Sequence, residues 1–189
     1  MASTFSELGI AASFIESLDE LAITTPTSIQ QKVIPVLLQQ KEDVVALAKT
    51  GTGKTAAFGL PVLQHIDTKK AFIQAVILVP TRELGQQTFK NLIDFAKHTP
   101  QISIASICGG TLIKPQIERL QKDTHIVVAT PGRLIDLLQR GAISIKGTDY
   151  LVLDEVDEMV TVLKSGLDTI VKALPKTRRT LLFTATLPG

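Results

Sequence analysis

Six apolar runs of strand length, alternating with stretches of helical spacing, restrict this chain more than any other feature of its sequence. The runs are Val44 to Ala48, Ala75 to Val79, Ile102 to Ile107, His125 to Ala129, Tyr150 to Leu153 and Thr180 to Phe183. Between them fall the helical patterns Thr55 to His65, Glu83 to Lys97, Lys114 to Gln121, Arg133 to Arg140 and Glu158 to Leu174. Strands that are mostly apolar on both faces must be covered on both, so the expected fold class is α/β, a three-layer sandwich with a mostly parallel central sheet between helices. Crossovers should be right-handed, and ligands should collect where the strands end. Ahead of the first strand, Ile10, Phe14, Leu18 and Leu21 fall at helical spacing, as do Ile29, Val33, Ile34, Leu37 and Leu38. The turn and cap signal Thr24-Thr25-Pro26-Thr27 separates them.

At 189 residues the chain suits one domain, 1–189. Apolar residues at 44% against 20% charged exclude a disordered chain. The apolar runs are too short to span a membrane, and Met1-Ala2-Ser3-Thr4-Phe5-Ser6-Glu7 lacks the pattern of a secretory signal, so a cytoplasmic protein is expected. Cys108 is the only cysteine, which rules out an intrachain disulfide and a Cys-based metal cage. His65, His98 and His125 show no ligand spacing and read as surface or satisfied core residues. A net charge of +2 is only mildly basic, so any nucleic-acid contact must come from a local groove. The chain stops at Leu187-Pro188-Gly189, soon after a strand, which reads as a domain edge or a cut made in preparing the protein.

Chemistry enters at Val44 to Thr55, V-V-A-L-A-K-T-G-T-G-K-T. A buried strand that turns through glycines into a helix leaves backbone N–H groups aimed at one spot, which favours an anion. Gly51 and Gly53 let a phosphate approach the main chain, Lys54 is placed to reach β/γ-phosphates, and the Thr55 hydroxyl is placed to ligate Mg²⁺. Ala48 stands where the phosphate-loop pattern G-x-x-x-x-G-K-[ST] has its first glycine. A glycine-rich turn with a chance lysine is the plainer reading, and the flanking strand and helix weigh against it. Tyr150-Leu151-Val152-Leu153-Asp154-Glu155 supplies a second half: an aspartate closing an apolar strand, able to hold Mg²⁺ partly through water, then a glutamate able to orient an attacking water. Acidic residues favouring a helix start would explain Asp157 and Glu158, but fit a near-buried Asp154 poorly.

Asp154-Glu155-Val156-Asp157 resembles the motif that gives the DEAD-box RNA helicases their name, with Val156 where alanine is usual. Pro26-Thr27-Ser28-Ile29-Gln30, within a region of about residues 1–40, resembles the family's adenine-reading Q motif, and Ala48, Thr50, Gly51, Thr52, Gly53, Lys54 and Thr55 resemble its phosphate loop. Pro80-Thr81-Arg82-Glu83-Leu84, Gly109-Gly110 and Thr130-Pro131-Gly132-Arg133 resemble its RNA-backbone motifs, and Thr184-Ala185-Thr186 its coupling motif.

The resemblance implies the N-terminal of two RecA-like domains, with the second absent from this chain. It implies ATP and Mg²⁺ as cofactors, and RNA held by its backbone without sequence preference. A soluble monomer is expected. Gln30 would read adenine and Phe5 would pack on the base, although Phe5 alone reads equally well as a core anchor. Lys54, Asp154 and Glu155 would be catalytic, and Asp157, Thr184 and Thr186 would couple hydrolysis to unwinding, with a Thr184–Asp157 hydrogen bond available. Ala22-Ile23 departs from the usual glycine-aromatic pair, so adenine would pack on an aliphatic side chain. Two other readings stand beside this one: a phosphate-loop kinase or other nucleotidase that does not act on RNA, and a clamp that binds ATP without turnover.

Overall fold

The computed structural model describes residues 4–186. Met1-Ala2-Ser3 and the terminal Leu187-Pro188-Gly189 lie outside the described residues. Strands β1 (Val44–Leu47), β2 (Ala75–Leu78), β3 (Ile104–Ile107), β4 (Ile126–Ala129), β5 (Tyr150–Leu153) and β6 (Arg179–Thr184) form one sheet in the order β1-β6-β5-β2-β4-β3. Every neighbouring pair is parallel, so the sheet is parallel throughout rather than mostly so. Helices α1 (Ala12–Glu20) and α2 (Ser28–Gln39) precede the sheet, and α3 (Lys54–His65), α4 (Arg82–Phe95), α5 (Ile113–Leu120), α6 (Pro131–Gln139) and α7 (Val156–Ala173) connect its strands.

Alternate residues of each inner strand enter different cores. Ala75, Ile77 and Val79 pack with Phe14, Ile34, Phe58 and Leu92 of α1 to α4, whereas Val76 and Leu78 pack with Leu134, Leu137, Met159 and Ile170 of α6 and α7. β2 and β4 are buried at every position, as strands covered on both faces must be. Cover fails at the β1 edge, where Val45 and Leu47 are 62% and 55% exposed on the face opposite Ala46.

The expected segments match the elements, with ends displaced by one or two residues. Among the strands the largest shift is at β3, which begins at Ile104 instead of Ile102. There the Ser103 N–H donates to the His125 ring instead of a ladder carbonyl. His125 is buried with its Nε2 lacking a partner among the described residues, so it is only half satisfied.

Because all strands run one way, their carboxyl ends share one edge, and the strand order sorts the motifs into two neighbouring groups. The loops after β1, β6 and β5 carry Ala48 to Thr55, Thr184 to Thr186 and Asp154-Glu155; those after β2, β4 and β3 carry Pro80 to Leu84, Thr130 to Arg133 and Gly109-Gly110.

Candidate nucleotide crevice and adjoining backbone-binding loops

The chain leaves β1 with the Ala48 N–H donating to Thr184 O (3.0 Å), then turns through Gly51 (φ 81°) and Gly53 (φ 89°) into α3. A Cβ on Gly53 would collide with the Gln30 amide. That amide fastens the N-terminal region to the loop. Gln30 Oε1 accepts from the Thr27 N–H (2.9 Å), Nε2 donates to Gly53 O (3.1 Å), and the Thr27 hydroxyl donates to Thr52 O (2.9 Å). Adenine reading by Gln30 would therefore use the remaining Nε2 proton and Oε1 lone pair.

Lys54, the first residue of α3, is 5% exposed and points at the end of β5. Its Nζ lies 2.6 Å from Glu155 Oε1 and 3.5 Å from Asp154 Oδ1, and the Thr50 hydroxyl donates to the same Glu155 oxygen at 2.9 Å. Glu155 occupies the left-handed region at φ 54°, a conformation that costs an L-residue about 1–2 kcal/mol. The Glu155 N–H donating to Asp154 Oδ1 (3.0 Å), with Lys54 and Thr50 on its carboxylate, holds it there. Burial pushes the Asp154 carboxyl above its ordinary 3.8; Lys54 opposes the shift and Glu155 adds to it. Two buried carboxylates share one ammonium, so the site is short of positive charge. That shortage fits a divalent ion at Asp154 with the Thr55 hydroxyl across the crevice.

The crevice holds about 440 Å³ and is lined by Asp154, Glu155, Gly51, Lys54, Thr50, Thr55, Gln30 and the apolar Leu21 and Ile23. Ile23 thus sits where an aliphatic contact for a base was expected. Phe5 does not: it is 3% exposed inside the α1 to α4 core, so its ring is an anchor for the N-terminal segment and no platform for a base.

In the second group, Thr81 caps α4 by accepting the Leu84 N–H (3.2 Å), and Pro131 opens α6. The Gly109 N–H donates to the Thr130 hydroxyl (3.0 Å), joining the loops after β3 and β4. Both arginines turn toward the protein. Arg82 Nη1 donates to Gly110 O (3.0 Å), and Arg133 donates to Thr111 O (Nη2, 2.9 Å) and Gln116 Oε1 (Nη1, 2.7 Å). Pro80 is half-buried beside them, and Gly132 is exposed with open space where a side chain would stand. The structure thus brings Pro80 to Arg82, Gly109-Gly110 and Thr130 to Arg133 together, and adds Gln116, which no sequence pattern marked.

The Thr184 hydroxyl donates to Thr186 O (2.7 Å) and the Thr186 hydroxyl donates to Asp157 Oδ2 (3.1 Å), so Thr186 adds a relay to the expected approach of Thr184 to Asp157. Burial raises the Asp157 carboxyl, and the hydroxyls of Thr184 and Thr186 beside it outweigh that and hold it below 3.8.

A parallel sheet with a glycine loop, a buried lysine at the following helix start and an Asp-Glu pair closing another strand defines the phosphate-loop nucleotide-binding class. The family model of the DEAD/DEAH box helicases matches residues 27–189. The chain belongs to that family. It is similar to the DEAD-box ATP-dependent RNA helicase CshA of Streptococcus pneumoniae, 42% identical over 97% of this chain and 35% of the relative. Among solved structures it resembles a DEAD box protein from the hyperthermophile Methanococcus jannaschii (TM-score 0.92, 39% identity, 99% of this chain and 51% of that one). It also resembles a variant of S. cerevisiae Dbp5 bound to RNA and ADP BeF3 (TM-score 0.88, 31% identity, 99% and 47%). The chain therefore spans about a third of that curated relative's length and about half of those structures.

Proposed function

We propose that this chain is the nucleotide-binding, N-terminal RecA-like domain of an ATP-dependent RNA helicase. The observation that carries the reading is Lys54 held under the phosphate loop between Glu155 and Asp154, beside a crevice open to a nucleotide.

On binding, Lys54 exchanges Glu155 for the β/γ-phosphates, and the loop amides from Gly51 to Thr55 take the remaining phosphate oxygens. Leu21 and Ile23 flank the base, and Gln30 reports its presence to the loop through Gly53. Glu155, released from Lys54, orients the water that attacks the γ-phosphate and accepts its proton. Asp154 and Thr55 would hold Mg²⁺, which would offset charge on the phosphates. Among the described residues there is no group of three or more His, Cys, Asp or Glu that could hold a metal. The loops after β2, β3 and β4 take the RNA backbone, and the relay from Asp157 through Thr186 to Thr184 joins the loops after β5 and β6 within the nucleotide group.

The family's arginine fingers lie in a second domain beyond this chain, and an arginine of that kind is worth about 10³–10⁵ in rate. The test compares nucleotide binding, RNA-stimulated ATP hydrolysis and duplex unwinding by the 189 residues. Tight nucleotide binding, feeble hydrolysis and no unwinding are expected. Unwinding by this chain alone, or turnover that survives Glu155→Gln, would contradict the proposal.

A further inference from the structure

We propose that Gln116 is a positioning residue for RNA: it locks the Gly109-Gly110 loop and Arg133 into one phosphate-gripping surface. The inference rests on the RNA contact proposed above and adds a residue to it.

α5 packs on the second core only through the partly buried Ile113, Ile117 and Leu120, and the half-buried Gln116 is held by hydrogen bonds. Its Nε2 uses both protons, on Cys108 O (2.9 Å) and the Thr111 hydroxyl (2.7 Å), and its Oε1 accepts from Arg133 Nη1 (2.7 Å). Arg133 closes the ring through Nη2 to Thr111 O (2.9 Å). The amide can stand only this way round, because a flipped group would set NH₂ against a guanidinium and a carbonyl against Cys108 O.

The carbonyls of Cys108, Gly110 and Thr111 are all bound by side chains: Gln116, Arg82 and Arg133. In a trans peptide the N–H points opposite to the carbonyl it follows, so the N–H groups of Thr111 and Leu112 face away from these side chains. Neither has an acceptor among the described residues, and Leu112 is 80% exposed. Two bare amides on a loop whose carbonyls are braced from the other side, and which the Gly109 N–H ties to Thr130, make a shape that suits a phosphate diester. Without Gln116, Gly110 at φ 78° is free to relax, and binding must then order the loop.

The test titrates the 189-residue chain with fluorescein-labelled decauridylate at several salt concentrations, alongside N-methylanthraniloyl-ADP and a thermal melt. Gln116→Ala should weaken RNA binding about tenfold while leaving nucleotide affinity, melting temperature and salt slope at parental values, since no cation is lost. Arg133→Ala should instead flatten the salt slope by about one. Gln116→Glu, which keeps the Arg133 partner but loses both donors, should fall between parent and Gln116→Ala. Parental RNA affinity in both Gln116 variants would overturn the inference, as would joint loss of RNA and nucleotide binding with early melting in both. A parent chain that binds nucleotide but no decauridylate would overturn the proposed RNA contact, and this inference with it.

Discussion

At the scale of single residues, Lys54 decides more than any other side chain because it serves two states. Before nucleotide binds, it is, among the described residues, the one ammonium paired with two buried carboxylates. Lys54→Ala should therefore abolish nucleotide binding and also destabilise the free protein, since removing one partner of a buried pair costs on the order of 3–5 kcal/mol. The Asp154 shift gives this a pH signature. Its folded value lies above 3.8, so the protonated form stabilises the fold below the unfolded value, and that contribution is lost as pH rises through the folded one. The penalty of Lys54→Ala should accordingly shrink in acid, and urea melts near pH 3.8 and at pH 8 would measure it. An equal penalty at both would mean the carboxylates are not the cause. Cys108 offers a second reading of burial. Desolvation pushes its thiol above 9.0, with Ser106 and Thr130 only partly opposing, and the side chain is buried. Iodoacetamide at pH 8 should label it only at the rate of unfolding, and fast labelling of the folded chain would contradict its placement.

Among the elements, α4 and β3 show how closely a motif is tied to the sheet beneath it. A Cβ on Gly85 would overlap the Cys108 sulfur, so α4 lies on β3 at a distance only glycine allows. Gly85→Ala should cost about 1–3 kcal/mol by overpacking, and the double variant with Cys108→Ala should recover much of it. Purely additive losses would show that the two sites do not touch. Prolines behave differently. Pro35 and Pro61 sit inside α2 and α3, and the apolar spacing carried through both because core packing outweighs the local loss of a hydrogen bond. The strands were legible for a related reason: Val76 to Leu78 and Ile126 to Ala129 can be satisfied only between two helix layers. The tether of Gln30 to Gly53, the inward turn of Arg82 and Arg133, and the ring closed by Gln116 were not legible. They join residues 17 to 28 positions apart through single polar contacts, which leave no periodic trace. Phe5 was ambiguous in sequence because an anchor and a base platform need the same ring, and only its burial separates them.

For the whole molecule, sheet order is the controlling fact. Placing β6 and β5 beside β1, and β4 and β3 beyond β2, makes two chemical groups from six loops, and the relay from Asp157 to Thr184 lies within the first. The same order leaves Val45 and Leu47 bare at the β1 edge, at the opposite end of the sheet from β4 and β3. Leu47→Thr should change stability by less than about 0.5 kcal/mol while raising solubility, as sedimentation and a chemical melt can check. A large loss of stability would place that side chain in the core. The claim beneath all of this is that one crevice grips a polyphosphate from two sides. A crystal of this chain grown with Mg²⁺ and ADP–beryllium fluoride tests it most directly. The account predicts Lys54 Nζ moved from Glu155 onto the phosphates, the ion between Asp154 and Thr55, and the base against Ile23. A nucleotide bound elsewhere, with Lys54 still paired to Glu155, would contradict it.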